Sequence, residues 1–289
     1  MESSPELEEL VDLLDLQRHG PHSFRGGSPT RRTRSLFGGQ LVAQALVAAG
    51  RSTPGDRIPH SLHAYFLRPG DPLRPLEFAV ETIRDGRNYH HRQVVVTQDD
   101  REIFRQLMGF TVNQPGPHYQ PQGAVADQAV DPGSFTDYLD WTMAGTDNPD
   151  HPWRSESKPI EVTFEHAPPA DPGGVVTGPL RMWMRLRGKV ASSDPLVHAA
   201  LLAWMSDTTL ADLAILCHGR RWVDTGVVSV SLDHSMWFLE PARADGWLRF
   251  DQEVTHTAGG RGLVRGLFVT PEGREVAAVS QEAVVGLGD

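Results

Sequence analysis

The run SLDHSMWFLEP, residues 231–241, sets an acid, an imidazole and two hydroxyls among bulky apolar residues. Burying polar groups is costly unless each finds a partner, so a strand with this composition calls for an explanation. Asp233 and His234 form the obvious acid–base pair. Strand alternation separates them: Ser231, Asp233 and Ser235 fall on one face, and His234, Met236 and Phe238 on the other. A second group of candidates is His60, His63, His90 and His91. Alternation sends His60 and His63 to opposite faces, and His90 and His91 likewise, so no shared metal site is expected. Arg25, Arg31, Arg32 and Arg34 lie in a Gly/Pro/Ser-rich stretch, read as a solvated loop or as a phosphate-contacting segment.

Several chemistries are missing from the sequence. There is no Gly-x-Ser-x-Gly, which argues against a nucleophile elbow. No phosphate-cradling P-loop, no Gly-x-Gly-x-x-Gly after a strand and no His-Glu-x-x-His occurs. Cys217 is the only cysteine, which excludes an internal disulfide and the cysteine-based zinc patterns. The chain carries 27 basic and 37 acidic side chains, a net charge of −10, which argues against a general nucleic-acid binder. The acidic MESSPELEEL start has neither the basic nor the apolar region of a secretory signal. No apolar run is read as a membrane span. A soluble, cytoplasmic protein is expected.

The elements that must position any site follow from periodicity. SPELEELVDLLDLQR spaces Leu7, Leu10, Val11 and Leu14 as an amphipathic helix behind a Ser-Pro start. LFGGQLVAQALVAAGRS is apolar nearly all round, as a buried helix is. Strand-like segments follow up to residue 112. Residues 113–158 are rich in Pro, Gly and Asp and are expected to link two domains, with one short helix near SFTDYLDWTM. DPLVHAALLAWMSDTTLADLAIL reads as one long apolar helix, again followed by strands.

The two halves repeat. Phe66-Leu67-Arg68-Pro69 matches Phe238-Leu239-Glu240-Pro241, Arg87 matches Arg261, and Arg101 matches Arg274, at offsets of 172, 174 and 173 residues. Three matches in order at nearly one offset point to an internal duplication of α+β units, each a helix laid on an antiparallel sheet. The expected organisation is residues 1–112, a linker over 113–158, and residues 159–289.

FGGQLVAQAL, HSLHAYFLRPGDP, VETIRDGR, LLAWMSD, SLDHSMWFLEP and VSQEAVV together resemble the acyl-CoA thioesterase II family, over residues 36–286. The resemblance implies a double hot-dog fold, two curled antiparallel sheets each wrapped round a helix. It implies hydrolysis of fatty acyl-CoA to free acid and CoA, with CoA part of the substrate and no separate cofactor or metal. It also implies association to a homodimer or homotetramer. The family's site is an Asp, a Thr or Ser, and a Gln that hold the attacking water. Carried over by motif, these are Asp207 in WMSD, Ser231 in SLDH and Gln281 in VSQE, with Ser231 standing where Thr is more familiar.

The chemistry of those residues agrees. A thiolate leaves readily, so a thioester needs a positioned nucleophile and a stabilised oxyanion more than acid help. Asp207 can take a proton from water, Ser231 can donate or accept, and Gln281 offers both amide functions. Ser206 or Asp207 is read as an N-cap, with Thr208 and Thr209 in the first turn of an anion-binding helix start. His60, Arg68, Thr208 and Thr209 are candidate substrate contacts, and Arg31, Arg32, Arg34 and Arg68 are candidates for CoA phosphates. Met236, Trp237 and Phe238 are assigned to core or acyl-tunnel wall, and Asp233 and His234 to structure, Asp233 bonding backbone across the dimer or domain seam. Two rivals remain at this stage: a hot-dog enoyl-CoA hydratase using Asp194 and His198 of SSDPLVH, and a non-catalytic acyl-CoA-binding hot-dog.

Overall fold

The computed structural model describes residues 3–29, 36–121, 131–144, 158–169 and 174–288. The first half contains α1 (Pro5–Leu13), β1 (Gln17–Gly20), β2 (Ser23–Gly26), α2 (Gly38–Gly50), β3 (Arg57–Phe66), β4 (Leu76–Asp85), β5 (Tyr89–Gln98) and β6 (Arg101–Val112). The second contains β7 (Thr136–Asp137), α3 (Tyr138–Met143), β8 (Ile160–Phe164), β9 (Leu180–Leu186), α4 (Pro195–Ser206) and α5 (Leu210–Leu216). It closes with β10 (Val228–Ser231), β11 (Asp233–Phe238), β12 (Leu248–Ala258), β13 (Arg261–Val269) and β14 (Glu275–Gly286).

Among the described residues all strands join one antiparallel sheet in the order β1-β2-β4-β5-β6-β3-β11-β14-β13-β12-β9-β8-β7, with β10 also beside β14. The halves meet where β3 pairs with β11, from Asp233 opposite Tyr65 to Trp237 opposite Ser61. α2 is buried from Gly39 to Ala49, which its all-round apolar sequence requires. It lies against β3, β5 and β6, while α5 occupies the corresponding place under β12, β13 and β14. Gly38 and Leu210, the first residues of these helices, are separated by the same 172 residues that relate the strands. The duplication read from the sequence is therefore a duplication of helix-on-sheet units.

Two expectations change. Part of the 113–158 stretch belongs to the second unit: β7 pairs with β8, and α3 packs on both. The long apolar helix is two helices, broken at Asp207–Thr209, where an acid and two β-branched residues interrupt the apolar run. By length and composition Pro195–Leu216 would suffice to cross a bilayer. Most of it is instead buried inside the protein, with α4 packed on α2.

Alternation in β11 sends His234 and Met236 into the core and Ser235 and Trp237 outward. Trp237 is 41% exposed and meets His63 edge-on at 5.3 Å, so it is not core or tunnel wall. Neighbours in one strand thus bear very different loads. Met236→Ala is expected to cost about 2–5 kcal/mol, and Trp237→Ser less than about 1 kcal/mol. Urea unfolding of the two variants checks this.

Candidate active site

Asp207 ends α4 with backbone angles of φ −90° and ψ 0°, outside the helical range. It does not cap α5, whose N-cap is Thr209, so the expected N-cap role for residue 206 or 207 is corrected. Its carboxylate is buried and faces three elements. From β14, Gln281 Nε2 donates to Oδ1 at 2.9 Å. From β10, Ser231 Oγ lies 3.4 Å from the same oxygen. From the first unit, the Gly39 N–H at the start of α2 donates to the carboxylate. Gln281 Nε2 also reaches Ser231 Oγ at 2.5 Å, which closes a triangle of Asp207, Ser231 and Gln281.

The start of α2 approaches this closely because it is Gly-Gly. A Cβ on Gly38 would sit 2.6 Å from Asp207 Oδ2, and one on Gly39 would sit 2.6 Å from the Trp204 carbonyl oxygen. The Phe37 ring meets Trp204 edge-on at 5.2 Å and fixes the helix start against α4. The positive end of the α2 dipole is thereby aimed at the acid. The site spans the seam, with three side chains from the second unit and a helix terminus from the first.

Burial is the dominant influence on Asp207 and lifts its pKa from 3.8 to about 6, against the lowering effect of its bonds from Gln281, Gly39 and Ser231. A second acid lies close by. Asp212, on α5, is raised to about 7 by burial and by the charge of Asp207, although a bond from Tyr138 opposes this. The Tyr138 hydroxyl donates to Asp212 and accepts from Trp222 Nε1 at 3.0 Å.

Behind Gln281 stands His234, which is fully buried. Its Nδ1 is 3.0 Å from Gln281 Oε1 and its Nε2 is 2.9 Å from Ser206 Oγ. Burial lowers its pKa to about 4, so the ring is neutral near pH 7. Simple alternation placed Ser231 and His234 on opposite faces. The break at Leu232 between β10 and β11 brings both to Gln281. Asp233 accepts from backbone, but from the Glu282 N–H at 2.7 Å within its own unit and not across the seam as expected.

The other candidate contacts are spread over both units. An irregularity in β3 between Pro59 and Ser61 turns His60 outward, edge-on to Tyr89 at 5.7 Å and over Gly109. His60 and His63 therefore share the outer face, contrary to plain alternation, and His60 does not line an inner pocket. Arg68 donates to the Glu102 carbonyl at 2.6 Å. Thr209 donates to Gln252 at 3.2 Å inside the second unit, and Thr208 follows Asp207 with its hydroxyl buried. Arg31, Arg32 and Arg34 lie outside the described residues. Asp194 caps α4 by accepting from the Leu196 N–H at 2.9 Å, and His198 meets the Ser192 carbonyl at 3.0 Å, so both are engaged in holding the helix start. Among the described residues no group of three His, Cys, Asp or Glu side chains is placed to hold a metal ion.

Sequence reasoning missed Asp212 and the roles of Gly38, Gly39, Ser206 and His234. The paired glycines opening an apolar helix were the available signal for a close approach.

Two curled antiparallel units, each laid on a helix and joined through one sheet, define a double hot-dog protein. Residues 28–111 match the acyl-CoA thioesterase N-terminal domain and residues 134–285 the acyl-CoA thioesterase C-terminal domain. Acyl-CoA thioesterase 2 of Haemophilus influenzae is 32% identical, the match covering 96% of this chain and 97% of that protein. Acyl-coenzyme A thioesterase 8 of Homo sapiens is 33% identical, covering 96% and 88%. Among solved structures, the tesB protein of Mycobacterium avium subspecies paratuberculosis superposes with a TM-score of 0.78 at 30% identity, covering 96% and 99% of the two chains. The chain belongs to the acyl-CoA thioesterase family and is a thioester hydrolase.

The folded pKa of Asp207 is raised, so its burial costs least when it is protonated. Its contribution to stability is full below about pH 4 and is lost as pH rises through 6, by about 3 kcal/mol in all. Asp207→Asn removes that titration. The stability of this variant relative to the parent should therefore grow between pH 4 and pH 8, as read by urea unfolding at both values. A difference independent of pH would assign the titration to another group.

Proposed function

We propose that Asp207, Ser231 and Gln281 hold the water that attacks the thioester carbonyl of a fatty acyl-CoA, giving free fatty acid and CoA. The observation that carries this reading is the buried, proton-hungry carboxylate of Asp207 at the meeting point of Gln281, Ser231 and the start of α2. Water bonded to Asp207 gives up a proton to it as the oxygen attacks the carbonyl carbon. Ser231 and Gln281 restrict where that water sits, which is the entropic part of the catalysis. The tetrahedral oxyanion develops near the N-terminus of α2, whose backbone N–H groups and dipole favour negative charge. The intermediate collapses with loss of the CoA thiolate, which takes up a proton, and the free acid leaves.

The burial of Asp207 suits this role. A base with a pKa near 6 is ionised at neutral pH and still basic enough to accept a proton in the transition state. Thr208 and the mouth of the seam beside Phe66 are the nearest candidates for substrate contact, since the Phe66 ring lies against Gly38. The reading takes CoA as part of the substrate, with no other cofactor or metal. It places a homodimer or homotetramer in the cytoplasm. Exposed Tyr65, Leu107 and Trp237 on the outer sheet face support association.

Asp207→Asn is expected to lower kcat by about 10²- to 10⁴-fold, and Gln281→Ala by less, in a thiol-release assay across a range of acyl chain lengths. Full activity of Asp207→Asn would refute the mechanism. The parent kcat should rise with pH through about 6, the value to which burial lifts Asp207. A flat profile from pH 4 to 8 would remove the general base.

A further inference from the structure

Gln281 can face Asp207 with either end of its amide, and the two ends do opposite things. A carboxylate only accepts, so the amide nitrogen must point to Asp207 and Ser231, and the oxygen must point away. The oxygen points at His234, with Nδ1 at 3.0 Å. A bond there requires a hydrogen on Nδ1. In a neutral ring Nε2 is then an acceptor, and Ser206 Oγ lies 2.9 Å from it; the single Ser206 hydrogen has two acceptors within reach, Nε2 and the Ala203 carbonyl at 2.8 Å. Ser206, the last residue of α4, is adjacent to Asp207 and is fully buried, as are His234 and Gln281.

We propose that Ser206 and His234 form a positioning relay that sets the tautomer of the imidazole and, through it, locks the polarity of the Gln281 amide toward Asp207 and Ser231. Ser206 Oγ–H donates to His234 Nε2 in preference to the Ala203 carbonyl, because the hydrogen that Nδ1 must give Gln281 Oε1 leaves Nε2 without one. His234 Nδ1–H donates to Gln281 Oε1. Both Gln281 N–H groups are then committed to Asp207 Oδ1 and Ser231 Oγ. Ser231, having accepted from Gln281, keeps its own hydrogen for Asp207 or the substrate. His234 touches neither substrate nor water; it acts through Gln281.

The duplication supplies an internal control. The residue 172 before His234 is Leu62, and the residue 173 before Gln281 is Met108. Leu62 and Met108 pair directly across β3 and β6, and both are buried. His234 and Gln281 hold the equivalent position, one step beyond the paired Ser235 and Ser280 of β11 and β14. The fold thus fills this place with two apolar side chains when it needs only a core. In the second unit it carries a costly buried histidine and amide, which are fully bonded to each other and to the acid. The ring's strong preference for neutrality agrees with a donor–acceptor role.

The inference rests on the reading of Gln281 as a water-holding group, and the test separates the two. Four variants are compared for kcat, KM and pH profile: Gln281→Ala, His234→Leu, His234→Asn and the double variant His234→Leu/Gln281→Ala. His234→Leu copies the first unit, so it is the substitution the fold best tolerates, and circular dichroism and Tm monitor its folding. It should lower kcat by about tenfold to a hundredfold with little change in KM, the loss of a buried hydrogen bond felt in the transition state. His234→Asn keeps a donor at the Nδ1 position and should recover most of that loss. The double variant should be no slower than Gln281→Ala alone.

The pH profile adds a readout that packing damage alone would not move. The titratable group facing Asp207 is Asp212 on α5, with His234 behind Gln281; α2, β10 and β14 present Gly39, Ser231 and Gln281. The bond from Gln281 lowers the pKa of Asp207, so releasing the amide in His234→Leu should move the rise in kcat to higher pH, leaving it in place in His234→Asn. If His234→Leu folds and works at the parent rate, or if Asn is no better than Leu, or if the losses in the double variant simply add, the relay is overturned. If His234→Leu does not fold, Ser206→Ala takes its place and must show the same fall in kcat and the same displaced profile. If Gln281→Ala itself is fully active, the reading of the water-holding site fails first.

Discussion

A desolvated carboxylate held against the start of a helix from the other half of the chain is the constraint on which the rest depends. Asp207 is buried, and burial alone would drive it to the neutral acid. The bonds from Gln281, Ser231 and the Gly39 N–H draw it part of the way back. The result is a group that can exist in either protonation state near neutrality. The other features of the site serve this contact. The Gly-Gly start of α2 admits the close approach, and the break after α4 leaves the acid outside the helix ladder. The irregularity at Leu232 turns Ser231 inward.

The same geometry explains why the polar groups of the second unit are affordable. Ser206, His234, Gln281 and Asp207 are buried in a continuous chain of donors and acceptors. A buried network of this kind stabilises when every member is satisfied and is costly when one is not. Asp212 sits in a parallel arrangement, bonded through Tyr138 to Trp222, and so α3 is tied to α5. Residues first read as a linker therefore help to shape the surroundings of the acid.

Much of the fold was legible because its signals are local or repetitive. The apolar α2, the alternating strands and the matched Phe-Leu-x-Pro corners pointed to two like units, and the structure joins those units through β3 and β11. Motif resemblance brought out Asp207, Ser231 and Gln281, which the structure places within bonding distance of one another. The rest depended on features that periodicity does not carry. His60 and Ser231 lie on faces opposite to simple expectation because single-residue irregularities in β3 and at Leu232 shift the alternation. Asp207 seemed to begin a helix because a run of apolar residues conceals a break. The role of Gly38 and Gly39 lay across the seam, where only the folded chain brings α2 to α4.

The seam has a consequence for symmetry. Two identical copies of a single unit, paired as these units are, would build two identical sites, and any change to one would be imposed on the other. Fusion into one chain removes that bond between the copies. It also holds the partners at a high effective concentration, so neither must retain a surface able to find its mate from solution. One unit was then at liberty to carry Leu62 and Met108 where the other carries His234 and Gln281, and to lend only a helix terminus. The protein can be described as a dimer whose halves have specialised, one supplying reactive side chains and the other the electrostatic end of a rod.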